Sequence, residues 1–545
     1  MMNRGIVIGF LLCAAATAQK IPAPLARGFE SIQEDTLRAD LTFFASDALQ
    51  GRLSLQPGDE VAVQWIVSEF AKAGLKPANN GSFLQPVNLI EYRSDRARSY
   101  VAMRRGGAEK RWNFPDAYGS FPADVDVTGD VVFAGFGITA PELGYDDYRG
   151  IDVHGKIVLI FDHEPQETNP DSVFNGTGNT RYATTRVKVL NAQAHGAVAV
   201  LIVAEPDRKH PSNQERAARI GGSATRAVPL PLQALANDEL HTPSATVSDA
   251  VARELMAGAG ETPVELQRAI DRDLKPQSRA LPDTSATLHF RNSSETEGKT
   301  WNVAGLLEGS DPALRAETIL ISAHHDHDGS SGAEIWHGAD DNGSGTVGVV
   351  ALAHAFAANA RDGGEKPKRS ILFVVFASEE RGLLGAFYMA AHPLRPLATT
   401  RAMINFDMIG RNEAESEQTK GLIEIPADTT NRLNLIGGYY SPDYRRVVEK
   451  NNRLIGLDLD DRFDHEAALN VFFRSDQFPF VLRNVPAMWW FTGFHPDYHH
   501  TTDTADRINY VKMAKILRLA YLTAYEFAGD NPVPRFVESP GGKRP

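Results

Sequence analysis

Cysteine is almost absent: Cys13 is the only one in 545 residues. It lies in an apolar run from Ile6 to Ala16 that follows Arg4 and ends at Ala16-Thr17-Ala18. A basic residue, a short apolar core and an A-x-A site make a secretory signal peptide. A lipoprotein signal wants a small residue before its cysteine, and Leu12 is not small. Cleavage after Ala18 leaves no cysteine at all, which excludes disulfides and thiolate metal ligands. Any metal must then be held by histidine and carboxylate. Long hydrophobic runs are missing as well. Past the signal no segment offers about 18 uninterrupted apolar residues, so no membrane span is expected in the mature chain. Secretion, or export to a periplasm, is the expected fate. Positive charge is in deficit: 56 Lys+Arg against 69 Asp+Glu give a formal net charge of −13. Such a surface repels phosphate backbones and anionic lipid, so nucleic acid is not expected as a partner. No internal repeat is visible.

What remains is ordinary globular material, 42% hydrophobic and 23% charged. Leu37, Leu41, Phe44, Ala48 and Leu49 recur at helical spacing, as do Val61, Val63, Ile66, Phe70 and Ala71. A Gly- and Pro-bearing loop, Gln50 to Gly58, separates the two helices they predict. Around Asp124 the texture turns to β. Val131–Phe133, Lys156–Phe161 and Ala197–Val203 read as strands, with a helix Thr184–Ala194 between the last two. A polar stretch, Lys275 to Ser285, closes this module. A regular α/β pattern follows: strand Thr318–Ala323, helix Ser344–Ala358, strand Ile371–Ala377, a helix from Leu383, strand Ala402–Phe406, a strand near Val485–Phe491 and a helix near Val511–Ala528. Continuous apolar strands alternating with helices predict an α/β fold with a mixed, mostly parallel central sheet covered on both faces. The expected division is a signal peptide over 1–18, a main domain built from 19–122 and 274–529, an inserted β-rich module over 123–273 and a loose tail over 530–545.

Four of the predicted strands lead into acids or histidines. Thr318–Ala323 ends in His324-His325-Asp326-His327-Asp328, Ile371–Ala377 in Ser378-Glu379-Glu380, and Ala402–Phe406 in Asp407. The strand near Phe491 leads to His495 and to Asp497-Tyr498-His499-His500. Between the first two, Asp340-Asp341-Asn342-Gly343 opens a helix. Alone, Glu379-Glu380 reads as a solvated loop and Asp340-Asp341 as an N-cap. Four such clusters at successive strand ends, where open α/β sheets bind ligands, point to a site.

The segments around His324, Gly338-Ala339-Asp340-Asp341-Asn342-Gly343-Ser344-Gly345, Ser378-Glu379-Glu380-Arg381-Gly382-Leu383-Leu384-Gly385, Asn405-Phe406-Asp407-Met408-Ile409-Gly410 and His495-Pro496-Asp497-Tyr498-His499 carry a resemblance. They resemble the di-zinc metallopeptidases of the bacterial leucyl aminopeptidase type, a family that includes glutamate carboxypeptidase II, glutaminyl cyclase and the transferrin receptor. The middle module resembles a protease-associated (PA) domain, through Ala134-Gly135-Phe136-Gly137, Gly155-Lys156-Ile157-Val158 and Gly196-Ala197.

The resemblance implies two zinc ions per chain and peptide substrates. His324 and Asp407 would hold one zinc, and Glu380 and His499 the other. Asp341 would bridge them, through a cis peptide with Asn342. Glu379 would be the general base for a zinc-bridging hydroxide, and Asp326 would accept the free N–H of His324. Counting back from Asp503-Thr504 selects His499, with His500 left as the alternative. Arg474-Ser475-Asp476-Gln477-Phe478 is similar to a loop near the substrate pocket, although many members carry His in place of Gln477; a loop without a site role reads equally well. His325, His327 and His495 are expected to be structural or at the rim, and Trp489 and Trp490 in the core. The expected activity is that of an aminopeptidase. The carboxypeptidases of this family carry a long helical domain after the last zinc ligand, and only 46 residues follow His499 (545 − 499). The alternatives are a glutamate-type carboxypeptidase, a glutaminyl cyclase-like transferase and a transferrin-receptor-like binding protein.

Overall fold

The computed structural model describes residues 20–219, 226, 229–361 and 363–537. The apolar N-terminal run with its A-x-A site lies outside these residues, as do 538–545 of the tail.

Four strands, Ser370–Phe376, Thr318–His324, Thr400–Phe406 and Ala487–Phe491, lie side by side and parallel at the centre of a ten-stranded sheet. The flanks are largely antiparallel. Asn292–Leu307 pairs with Ser370–Phe376 on one side and Arg432–Ile436 with Ala487–Phe491 on the other, so the sheet is mixed. Three of the central strands are buried along their whole length, and Thr400–Phe406 is buried at every residue but Arg401. That is why each reads as a continuous apolar run rather than an alternating one. Successive side chains still point to opposite faces. Ile319, Ile321 and Ala323 enter a core roofed by the helices Glu34–Phe44, Pro57–Lys72, Gly345–Arg361 and Tyr510–Ala528. Leu320, Leu372 and Val374 enter a second core on the far face, with the helix Leu384–Ala391.

In Pro57–Lys72 the buried stripe runs through Ala62, Val63, Ile66 and Phe70, while Val61 is exposed.

An eight-stranded sheet forms the second body. Its parallel strands Val125–Phe133, Ile157–Phe161 and Ala199–Val203 match the three apolar runs. It also takes Tyr100–Arg105, Ala108–Trp112, Ala117–Gly119 and Arg279–Phe290, so it reaches outside 123–273 on both sides. Most of the stretch expected to be a polar closure, from Arg279 on, thus belongs to a long strand. Its burial alternates, and its register breaks between Ala280 and Ser285, around Pro282. A proline and a bulge inside a half-exposed strand hide its period. In return, Leu232–Leu235 leaves this body and pairs with Leu84–Ser94 at the edge of the main sheet.

The first part of the tail is docked rather than loose. Phe536 stacks on Tyr440 with ring centroids 5.2 Å apart, and the Val537 amide donates to the Tyr440 carbonyl at 2.8 Å.

Candidate metal centre

The centre lies at the carboxyl ends of the parallel strands. His324 is the last residue of its strand; Glu379 and Glu380 follow Ser370–Phe376, and Asp407 follows Thr400–Phe406. Asp341 sits in the irregular turn Ala339–Ser344 that opens the helix Gly345–Arg361, and its peptide bond to Asn342 is cis. The turn is held from several sides. The Asp503 carboxylate accepts the amides of Asp340 and Asp341 at 2.9 and 3.2 Å. Asn342 Oδ1 accepts the Gly345 amide at 3.0 Å, so Asn342 supplies the helix cap. Gly338 adopts φ 56°, and a Cβ there would stand 2.2 Å from the Asp341 carbonyl. Ser378, Met408 and His499 also hold left-handed φ angles of 54°, 59° and 56°, a strain typical of functional positions.

The structure brings six sequence-designated residues around one buried space. His324 Nε2 lies 3.5 Å from Asp341 Oδ1, 3.6 Å from Asp407 Oδ2 and 3.8 Å from Glu379 Oε2. His499 Nε2 lies 3.2 Å from Asp341 Oδ2 and 3.3 Å from Glu380 Oε2. Asp341 therefore stands between the two histidines with one oxygen toward each. Of the adjacent pair, His499 faces the space. His500 turns away, its Nδ1 2.8 Å from the Tyr498 carbonyl.

Both Nε2 atoms are buried and have no hydrogen-bond partner. Against the pull of burial, Glu379 and Asp407 hold His324 well above its usual range. Burial likewise raises the carboxyls of Asp341, Glu379 and Glu380, and their mutual repulsion adds to it. Four carboxylates and two imidazoles whose Nε2 atoms have no hydrogen-bond partner thus line one cavity. Imidazole nitrogen and carboxylate oxygen are both zinc ligands, so the residues present fit the metal.

Asp326 departs from its expected part. The strand ends at His324, so the i, i+2 geometry does not continue to Asp326. His324 Nδ1 lies 3.2 Å from the Asp326 backbone carbonyl and 3.7 Å from its carboxylate. The carboxylate instead accepts the amides of Glu379 and Glu380 at 2.9 and 3.2 Å, placing both glutamates. A carboxylate does orient a histidine here, but it is Asp328 on His499: Oδ2 lies 2.9 Å from Nδ1, with Arg381 on its other oxygen.

His325 and His495 are tied to Asp59 and Asp340 at 2.8 and 3.2 Å, away from the cavity. His327 is not at the rim. Its Nδ1 is 2.7 Å from Glu380 Oε1, and burial pulls the imidazole down to about 4. Trp489 and Trp490 are core residues. Asp476 is sealed, with neither carboxylate oxygen partnered, and burial holds it well above the usual range. Gln477 is buried too and bonds to the Phe472 carbonyl and Asn405.

Arg52 was no more than a loop residue in the sequence. Fully buried, it donates to the carbonyls of His325 at 2.8 Å, Phe44 at 2.9 Å, His337 at 2.6 Å and Gly338 at 2.8 Å. Burial lowers it to about 10, so it is charged at neutral pH. It thus ties the His324 loop to the Asp341 turn. Arg52→Met leaves four buried carbonyls short of a donor and is expected to cost at least about 3 kcal/mol, read as the shift of the urea unfolding midpoint. An unchanged midpoint would remove Arg52 from this role.

The class to which this fold and cavity point is the zinc metallopeptidases. Residues 302–524 match peptidase family M28, and residues 127–254 match the PA domain. Among curated relatives, leucine aminopeptidase 2 of Arthroderma otae is 28% identical over 231 residues, 38% of this chain and 41% of that protein. A probable zinc metalloprotease of Pyrenophora teres f. teres is 34% identical over 154 residues, 26% of this chain and 31% of that protein. The chain thus spans about two fifths of the length of the leucine aminopeptidases it matches. An aminopeptidase structure from Aneurinibacillus sp. strain AM-1 covers 94% of this chain and 97% of its own, at 19% identity and a TM-score of 0.49.

Proposed function

We propose that this chain is a secreted aminopeptidase that holds two zinc ions and removes N-terminal residues from peptides. One observation carries the reading: two buried, unpartnered imidazole nitrogens face Asp341 from opposite sides, with a carboxylate beside each and Glu379 at the opening. His324, Asp407 and Asp341 would hold one ion, and His499, Glu380 and Asp341 the other. Bound zinc supplies polarisation of the scissile carbonyl and acidifies water.

The chain's own residues do the rest. Glu379 keeps 8% of its surface exposed, whereas His324 behind it is sealed. Glu379 Oε2 stands 3.8 Å from His324 Nε2, farther than the oxygens of Asp341 and Asp407, which leaves it to meet substrate and water. Its raised pKa suits a carboxylate that takes a proton from the attacking water and returns it to the leaving amine. Asp326 fixes the backbone beneath Glu379 and Glu380, and Asp328 holds the ring of His499. The likeness to leucine aminopeptidases supports an amino rather than a carboxyl terminus as the substrate's end. No helix among the described residues is long and apolar enough to cross a membrane, in keeping with export of the whole chain.

The test is a panel of aminoacyl reporters beside N-blocked peptides. Cleavage restricted to the free-amine set, abolished by a chelator and restored by zinc, is the expected result. Cleavage of N-blocked peptides at their C-termini would replace it with the carboxypeptidase reading.

A further inference from the structure

The inserted body carries a second group of histidines and carboxylates that the cavity above does not use. His163 and Glu167 follow the strand Ile157–Phe161, and Glu205 and His210 follow Ala199–Val203. These strands are parallel neighbours, so both loops leave the same edge of the sheet. The four side chains are between 1% and 8% exposed, and their donor atoms lie within 4.8 Å of one another.

The hydrogen-bond pattern separates their parts. Arg216 donates to His163 Nε2 at 2.6 Å, so the proton of a neutral His163 is on Nδ1. From there it is donated to Glu167 Oε1 at 2.6 Å. His210 Nδ1 lies 2.9 Å from the Pro211 carbonyl and 3.4 Å from Arg216 Nη1; the nearer carbonyl accepts its proton, which leaves Nε2 with a lone pair. That Nε2 faces two carboxylate oxygens, Glu167 Oε2 at 2.6 Å and Glu205 Oε1 at 2.8 Å. A single N–H cannot point at both. Glu205 Oε1 is indeed buried without a donor, on a side chain 3% exposed. A cation at the meeting point of these three atoms would satisfy all of them.

We propose that His210 Nε2, Glu167 and Glu205 hold a divalent cation of the zinc type in the inserted body, with His163 positioning Glu167. Imidazole among the donors selects zinc over calcium or magnesium, which take oxygen. Three protein ligands leave one position for water. Ligand bonds of about 2.0–2.2 Å place donor atoms about 3.3 Å apart in a tetrahedron, so the site opens by about half an ångström on loading. Arg216 also donates to the Ala468 carbonyl of the main body at 3.3 Å. The ion would therefore stiffen the loop through which the insert grips the main body.

The test counts zinc per chain by atomic emission on the full-length protein, saturated with zinc and dialysed. Glu205→Gln is expected to lose one zinc per chain relative to wild type, with turnover of the reporter substrate unchanged. Because that variant could misfold, a His324→Ala/His499→Ala variant supplies a second arm. It is expected to keep one zinc that disappears when Glu205→Gln is added. Equal zinc in wild type and Glu205→Gln, or none in the His324→Ala/His499→Ala variant, overturns the site and leaves a metal-free ion-pair cluster. The loss on Glu205→Gln is read however many ions the main cavity holds, so failure of one reading is distinguishable from failure of the other.

Discussion

Glu379→Gln is expected to lower kcat by about 10²–10⁴-fold, the usual contribution of a general base, while zinc content and KM stay near wild type. The substitution preserves shape, and the residue is held by its backbone. The Glu379 amide donates to Asp326 whether the side chain is acid or amide. Its oxygen is the outermost of the contacts to His324 Nε2, at 3.8 Å against 3.5 and 3.6 Å for Asp341 and Asp407. What the variant loses is the ability to accept a proton. The measurement is steady-state kinetics with metal analysis on the same sample. Turnover within threefold of wild type would end the general-base assignment; loss of zinc would make Glu379 a ligand instead.

The adjacent histidines should separate just as sharply. His499→Ala removes one of two imidazoles from the cavity and is expected to lose zinc at that position and activity by more than the 10–100-fold typical of an outer partner. His500→Ala removes a ring that bonds to the Tyr498 carbonyl two residues back, and is expected to behave like wild type. Asp328→Asn falls between them, because it weakens the hydrogen bond that orients His499, along with the Arg381 pair, without removing a ring. Zinc affinity by competition with a chromophoric chelator ranks the three. Equal losses for His499→Ala and His500→Ala would mean that the loop, and not one ring, makes the site.

The four central strands of the main sheet were legible because they are buried on both faces and so appear as nearly unbroken apolar runs, whereas its flanking strands Leu84–Ser94 and Asn292–Leu307, partly exposed, were not. The clusters after them were legible because a parallel sheet puts its ligand-binding loops directly after those runs. The half-exposed strands Tyr100–Arg105 and Arg279–Phe290 were not, since charged residues and Pro282 interrupt their alternation. Partners far apart in the chain escaped as well. Arg52 reaches carbonyls 273 and 286 positions away, and nothing local marks it out. Asp326 and Asp328 look equivalent in sequence, yet the end of a strand between His324 and Asp326 assigns them different neighbours.

By itself the sequence determined the kind of chemistry available. A chain without cysteine beyond residue 13 can hold metal only through histidine and carboxylate, and its strand ends concentrate those groups. Only the tertiary structure decided which of several histidines and acids meet. The choice between His499 and His500, the placing of His327 beside Glu380 and the grouping of His210 with Glu167 and Glu205 all depend on loops from different strands converging. That convergence is set by the order and register of the strands, which no local pattern in the chain encodes.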